Sequence, residues 1–139
     1  VPVMTGAMVF AADLIRALWR RGVAVELMAL RIRSYGASLS AENAPVIAMP
    51  LDKRIDGRTA LLIDGVCDVG HTLATALAHL KDNGAARIAS VVMVDKPVRR
   101  GVAVKPDYAG FTADDAFVVG YGMDAGGALR HLPYIGVIR

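Results

Sequence analysis

The sequence holds a single cysteine, Cys67, so no disulfide can close within the chain, and a reducing compartment, the cytoplasm, is the expected setting. Three histidines, scattered at 71, 79 and 131, offer no zinc-ligand spacing with that one thiol. There is no Walker loop and no serine nucleophile elbow. No apolar run approaches the roughly eighteen residues of a membrane-spanning helix. Glu26 interrupts the best candidate, and no signal-peptide pattern opens the chain. Charge of one sign is also scarce. A formal net charge of +3 suits anionic small molecules and makes no case for nucleic acid.

What the chain does have is apolar residues, 55% of 139, enough for one domain with a real core. A single domain over 1–139 is the expectation. The chain opens Val1-Pro2-Val3-Met4, inside a buried-strand pattern and without an initiator methionine; we expect a segment to precede it.

Residues 1–4 read as a strand, followed by the small loop Thr5-Gly6. A helix is expected over 7–21: Phe10, Leu14 and Leu18 recur every four residues, flanked by Ala11 and Ile15. Asp13, Arg16 and Arg20 take the other side, and Gly22 stands where a C-capping glycine belongs. Residues 23–32 read as a second strand. Periodicity fails over 33–56, which suggests a mobile lid, with 46–49 able to form an edge strand. Residues 58–64 read as a strand, 70–83 as a helix ended by Gly84, and 85–95 as a nearly all-apolar strand. A basic loop with Arg99, Arg100 and Lys105 follows, then an Asp114-Asp115 turn, a short strand over 116–119, and a tail of turn and strand over 130–138. Strand–helix–strand twice over implies a parallel sheet covered on both faces.

The stretch Thr59 to Leu80, TALLIDGVCDVGHTLATALAHL, organises the rest. An apolar run ends at Asp64, a loop over 65–72 follows, and a helix begins. The first amides of a helix lack internal partners and lie at the positive end of its dipole, so a phosphate could sit on the amides of 69–72. An ordinary strand–helix turn capped by threonine explains the same residues. In open parallel sheets, however, ligands bind at the C-terminal strand ends, and five such ends carry chemistry here: Thr5-Gly6, Tyr35, Asp64 to Thr72, Lys96 and Asp124. Two carboxylates near a phosphate loop point to Mg²⁺ shared with substrate oxygens.

LLIDGVCDVGHT resembles the phosphoribosyl pyrophosphate motif of type I phosphoribosyltransferases. Six further segments narrow the resemblance to the hypoxanthine-guanine branch and span essentially the whole chain: Met4-Thr5-Gly6, Ser34-Tyr35-Gly36, DKP at 95–97, KPDYAGF at 105–111, FVVGYGMD at 117–124 and RHLPYIG at 130–136. The resemblance implies an α/β fold, a twisted and mostly parallel sheet flanked by helices, with a small hood from the chain ends. It implies transfer of the phosphoribosyl group from phosphoribosyl pyrophosphate to a 6-oxopurine, hypoxanthine or guanine, giving inosine or guanosine monophosphate in purine salvage.

By the same resemblance, Asp68 is the acid/base group near purine N7. Val69, Gly70, His71 and Thr72 hold the 5′-phosphate, with Asp64 and Gly65 at the ribose. Thr5, Gly6 and Arg130 meet pyrophosphate, the last through its planar fork. Lys96 meets the purine O6, Phe117 stacks on the base, and the Val118 backbone reads its edge. Asp124, beside the purine site, binds Mg²⁺ with help from Asp64. Ser34 and Tyr35 tip a lid that excludes water. Asp114 and Asp115 receive only a turn role and Cys67 none. Homodimers or homotetramers are implied, with no nucleic acid or membrane partner.

Three positions depart from the family pattern. Gly65 stands where a second acid is usual, Val69 where a hydroxyl is usual, and Thr5 where Lys or Arg is usual. Together they should weaken phosphoribosyl pyrophosphate binding by a few kcal/mol, on the order of a hundredfold. The missing acid and the basic run over 96–105 also motivate a rival: a regulator of the same fold that senses phosphoribosyl pyrophosphate or nucleotides and binds RNA, with little or no catalysis.

Overall fold

In the computed structural model, residues 1–33 and 45–138 are described; Ser34 and Tyr35, the expected lid tip, lie outside them. The elements in chain order are β1 (Val3–Met4), α1 (Met8–Arg20), β2 (Leu30–Arg33), β3 (Val46–Met49), β4 (Thr59–Cys67), α2 (His71–Asp82), β5 (Arg87–Asp95), β6 (Tyr108–Thr112), β7 (Phe117–Val119) and β8 (Gly136–Ile138). A short 3₁₀ turn, Pro97–Arg99, follows β5.

The sheet is built outward from β1 and β4. β1 pairs parallel with β2, in the register Val3↔Leu30, and β2 pairs antiparallel with the edge strand β3. β4, β5 and β6 form a parallel trio. A parallel bridge, Pro2↔Ile63, joins the two halves, and the Ile63 amide donates to the Val1 carbonyl at 2.9 Å. The strand order is therefore β3-β2-β1-β4-β5-β6. From β1 the chain runs through α1 to one side of the sheet, and from β4 through α2 to the other. Such a switch point opens a crevice at the carboxyl ends of its two strands.

Alternation along β4 sets the two faces. Ala60 and Leu62 pack with Leu73, Ala76 and Leu80 of α2 and with Leu30 and Val92. Ile63 and Leu61 point the other way, against Ala7, Ala11, Phe10 and Leu14 around α1. β7 and β8 pair antiparallel and place Val118 with Val94 and Met123 in a third cluster. This hood comes from the C-terminal part of the chain; residues 3–4 belong to the main sheet. No described helix is long and apolar enough to cross a membrane.

Three elements differ from the sequence reading. The second strand starts at Leu30, not at 23, and Val23, Val25 and Leu27 are 45, 49 and 57% exposed. The ladder with β1 begins at Val3↔Leu30, and apolar composition alone does not fix where a ladder begins. β4 continues past Asp64 to Cys67, paired as Val66↔Val94 and Cys67↔Asp95, which shortens the loop to 68–70. β6 is a strand over residues to which the sequence reading assigned no element. All five of its residues are exposed, so no alternation of burial marks it.

Candidate functional site

A cavity of about 590 Å³ lies over the switch point. Its wall brings together most of the residues singled out in the sequence: Thr5 and Gly6 after β1; Asp64, Gly65, Asp68 and Thr72 from β4 and α2; Lys96 after β5; Phe117 and Val118 of β7; and Asp124 and Arg130. Four of the five strand ends singled out in the sequence thus meet in one space, joined by β7; the fifth, at Tyr35, lies outside the described residues.

Asp64 is buried, and its Oδ1 accepts the Gly65 amide at 2.7 Å. Loss of hydration pushes its carboxyl up to about 7, against the smaller opposing effect of that hydrogen bond. Beside it the packing is tight. A Cβ at Gly65 would stand 3.1 Å from the Gly6 carbonyl oxygen and 3.2 Å from Met123 Cγ. The absent second acid therefore coincides with a close approach between the β4 end and the β1 loop, whose Met4–Thr5 peptide is cis.

Asp68 follows β4 directly and faces two cations. Lys96 Nζ lies 3.9 Å from Oδ2, and Arg99 Nε lies 3.0 Å from Oδ1. The Arg99 contact is an ion pair without hydrogen-bond alignment: Oδ1 is buried and accepts no hydrogen bond. Lys96, with 4% of its side chain exposed, is held by its amide donating to the Cys67 carbonyl at 2.9 Å. A buried ammonium needs a counter-ion, and Asp68 is the one at hand. On the opposite wall Phe117 keeps 53% of its surface exposed, so its ring is free to take a ligand's face. Asp124 is occupied on both oxygens, by Arg130 Nη2 at 2.7 Å and by the Gly127 amide at 2.6 Å. Arg130 Nη1 donates in turn to the Gly122 carbonyl at 2.7 Å.

The phosphate loop meets the cavity at its two ends. Val69, Gly70 and His71 do not line the cavity, while Asp68 and Thr72 on either side do. Gly70, at φ 101°, is the left-handed residue from which α2 starts. A Cβ there would meet Val104 Cγ1 at 2.7 Å, so glycine is required for both conformation and space. The Val69 carbonyl accepts the Gly101 amide at 2.9 Å. His71 opens α2 with its Nε2 buried and lacking a hydrogen bond.

Two groups in or beside this site were not picked out from the sequence. Arg31 and Arg33, on the end of β2, line the cavity beside Thr5; the R-I-R alternation puts both on one face of a strand, a signal that was there to be read. Arg99 was read as part of a basic loop. Instead it pairs with Asp68 and Asp115, and its neighbour Arg100 pairs with Asp95 and contacts Cys67 Sγ.

Comparison with known proteins agrees with this geometry. A family profile described as "Phosphoribosyl transferase domain" matches residues 1–125. A hypoxanthine-guanine phosphoribosyltransferase of Bacillus subtilis is 37% identical over 139 residues, which is 100% of this chain and 76% of that protein. The hypoxanthine phosphoribosyltransferase of Escherichia coli is 36% identical over 138 residues, covering 99% of this chain and 76% of its own length. Among solved structures, the hypoxanthine phosphoribosyltransferase of Trypanosoma cruzi in complex with the product IMP superposes with a TM-score of 0.90 at 30% identity, covering 99% of this chain and 73% of that one. This chain belongs to the phosphoribosyltransferase family, in its hypoxanthine-guanine branch.

Proposed function

We propose that the protein transfers the phosphoribosyl group of phosphoribosyl pyrophosphate to a 6-oxopurine, hypoxanthine or guanine, releasing pyrophosphate. One observation carries the reading: a partly exposed carboxylate, Asp68, in a cavity shared with a buried lysine and an exposed aromatic ring. As purine N9 forms its bond to ribose C1′, the bond from C1′ to the pyrophosphate oxygen breaks. The base must then lose the proton on N7, and Asp68 takes it. Lys96 donates to O6, which favours 6-oxopurines over adenine. Phe117 stacks on the ring and the Val118 backbone reads its edge. The amides of Val69, Gly70, His71 and Thr72 hold the 5′-phosphate, Asp64 and Gly65 border the ribose, and Thr5, Gly6 and Arg130 receive the pyrophosphate. Ser34 and Tyr35 close over the reacting centre.

Asp64 and Asp124 offer only carboxylate oxygens, and the described residues hold no cluster of three or more His, Cys, Asp or Glu able to hold a metal. That donor set fits Mg²⁺ taking most of its oxygens from substrate. When bound, the ion neutralises charge on the departing pyrophosphate. We place the protein in the cytoplasm as a homodimer or homotetramer, which light scattering of the purified chain would resolve.

The test is turnover of hypoxanthine, guanine, xanthine and adenine, each with phosphoribosyl pyrophosphate and Mg²⁺. Nucleotide should form with hypoxanthine or guanine, and Asp68→Asn should slow it by about a hundredfold or more, the size expected of a positioned acid/base group. No nucleotide from any 6-oxopurine, together with salt-dependent RNA binding, would instead support the regulator.

A further inference from the structure

We infer that Arg99 is a positioning residue for Asp68, and that Asp115 holds Arg99 to that task; the inference rests on reading Asp68 as the proton acceptor. Arg99 ends the 3₁₀ turn Pro97–Arg99, immediately after Lys96. The turn is fastened on both sides. Its first side is closed by the Arg99 amide on the Lys96 carbonyl at 3.2 Å, and its second by the Gly101 amide on the Val69 carbonyl at 2.9 Å. Arg100 is committed to Asp95 and Cys67 at the adjoining strand ends. Between these anchors Arg99 reaches Asp68 through Nε at 3.0 Å and Asp115 through Nη1 at 2.8 Å.

The geometry of the first contact is what a positioning role requires. Asp68 Oδ1 is buried and accepts no aligned hydrogen bond, so Arg99 holds that oxygen by charge, while the side chain, 37% exposed, keeps its remaining surface for the purine proton. Lys96 alone, 3.9 Å from the other oxygen, is too far away to fix the direction of the carboxylate. Asp115 supplies the second constraint. Arg99 is 40% exposed, and a lone exposed guanidinium samples many rotamers; a second carboxylate on Nη1 narrows them. Asp115 also stands two residues before Phe117, so the chain Asp68–Arg99–Asp115 links the proton acceptor to the strand that presents the base-stacking ring. Exposed pairs of this kind add little to stability, about 0–1 kcal/mol, so a purely structural role has little to act through.

The experiment is steady-state kinetics on Arg99→Gln, Arg99→Lys, Asp115→Asn, Asp68→Asn and the double variant Asp68→Asn/Arg99→Gln, with melting curves for each. Arg99→Gln should lower kcat about ten- to a hundredfold, the scale of a misplaced reacting group, with the Michaelis constants of both substrates and the melting temperature near wild type. Arg99→Lys should recover part of the loss, and Asp115→Asn should show a smaller loss of the same kind. In the Asp68→Asn background, Arg99→Gln should cost nothing further, because it acts only through Asp68. Wild-type kcat in Arg99→Gln, an effect on Michaelis constants alone, or the same fold-loss in both backgrounds would overturn the assignment to Arg99 while leaving Asp68 in place. A wild-type rate in Asp68→Asn would remove the reading of Asp68, and the role of Arg99 with it.

Discussion

Asp64→Asn should stabilise the ligand-free protein, and by an amount that grows with pH. Burial raises the Asp64 carboxyl from its ordinary 3.8 to about 7 in the folded state; in the unfolded chain it keeps the ordinary value. Below about pH 4 both states hold the proton and the group makes no difference between them. As pH rises from 4 to 7 the unfolded chain releases its proton while the folded one does not, so the equilibrium shifts toward unfolding. Above about 7 both are ionised and the loss is complete. At about 1.4 kcal/mol for each pH unit separating the two values, the loss is about 4 kcal/mol. Asparagine has no proton to release, and its Oδ1 can still accept the Gly65 amide that Asp64 accepts at 2.7 Å.

Urea denaturation of both proteins from pH 4.5 to 7.5, in chelator so that no divalent ion binds, measures this directly. The stability of Asp64→Asn minus that of wild type should rise by about 3 kcal/mol across the range, the first part of the loss having occurred below pH 4.5; every other titrating group is common to the two proteins and cancels. A difference that stays flat with pH, or that shrinks as pH rises, would refute the reasoning. The stabilised variant should be the poorer enzyme, since the carboxylate it lacks is one of the two proposed to hold Mg²⁺. That is the usual exchange of stability for function at a strained site.

Gly70→Ala should destabilise the protein by about 2 kcal/mol or more, because a left-handed alanine is strained and its Cβ would stand 2.7 Å from Val104 Cγ1; an unchanged melting temperature would contradict this. The Michaelis constant for phosphoribosyl pyrophosphate should be raised by a factor on the order of a hundred over relatives that keep the second acid, the hydroxyl and the basic residue; a low-micromolar constant in Mg²⁺ buffer would rule that out. Gly65→Asp alone should not restore binding, since its Cβ would crowd the Gly6 carbonyl at 3.1 Å and Met123 at 3.2 Å. Pairing it with Met123→Ala should lower the constant relative to Gly65→Asp, and the same value in both variants would argue against crowding.

How far the sequence could be read followed from whether a residue's partners were near it or distant. The spacing of Phe10, Leu14 and Leu18 defined α1 because a helix's buried stripe is a local property. The apolar runs of β4 and β5 announced strands for the same reason. Residues 23–29 are as apolar as a strand, yet the observed ladder begins at Val3↔Leu30, and register is not a local property of composition. Asp64-Gly65 looked like a strand end because acid and glycine rarely sit in buried strands; the ladder runs on to Cys67↔Asp95, so both are enclosed. Asp68, Lys96, Phe117, Asp124 and Arg130 were legible by their order along the chain, and the fold gathers them in one cavity. The pairing of Arg99 with Asp68 crosses thirty positions, and no local pattern encodes it.

Gly65 shows why a missing side chain is a poor guide to a missing function. Read along the sequence, it is a lost acid and a weaker hold on ribose. In the fold it is the point where β4 approaches the β1 loop, and an added Cβ would crowd the Gly6 carbonyl and Met123. The two cavity arginines on the adjoining strand, Arg31 and Arg33, stand beside Thr5, where the family's basic residue is absent. Charge for an anionic substrate is thus present at this rim of the cavity, carried by β2 instead of the β1 loop. The deficit that remains is at the proposed ribose contact, where Asp64 is left as the lone acid and burial raises its carboxyl to about 7. Binding of phosphoribosyl pyrophosphate should therefore gain as pH rises through that value and Asp64 ionises, a dependence that Asp64→Asn removes.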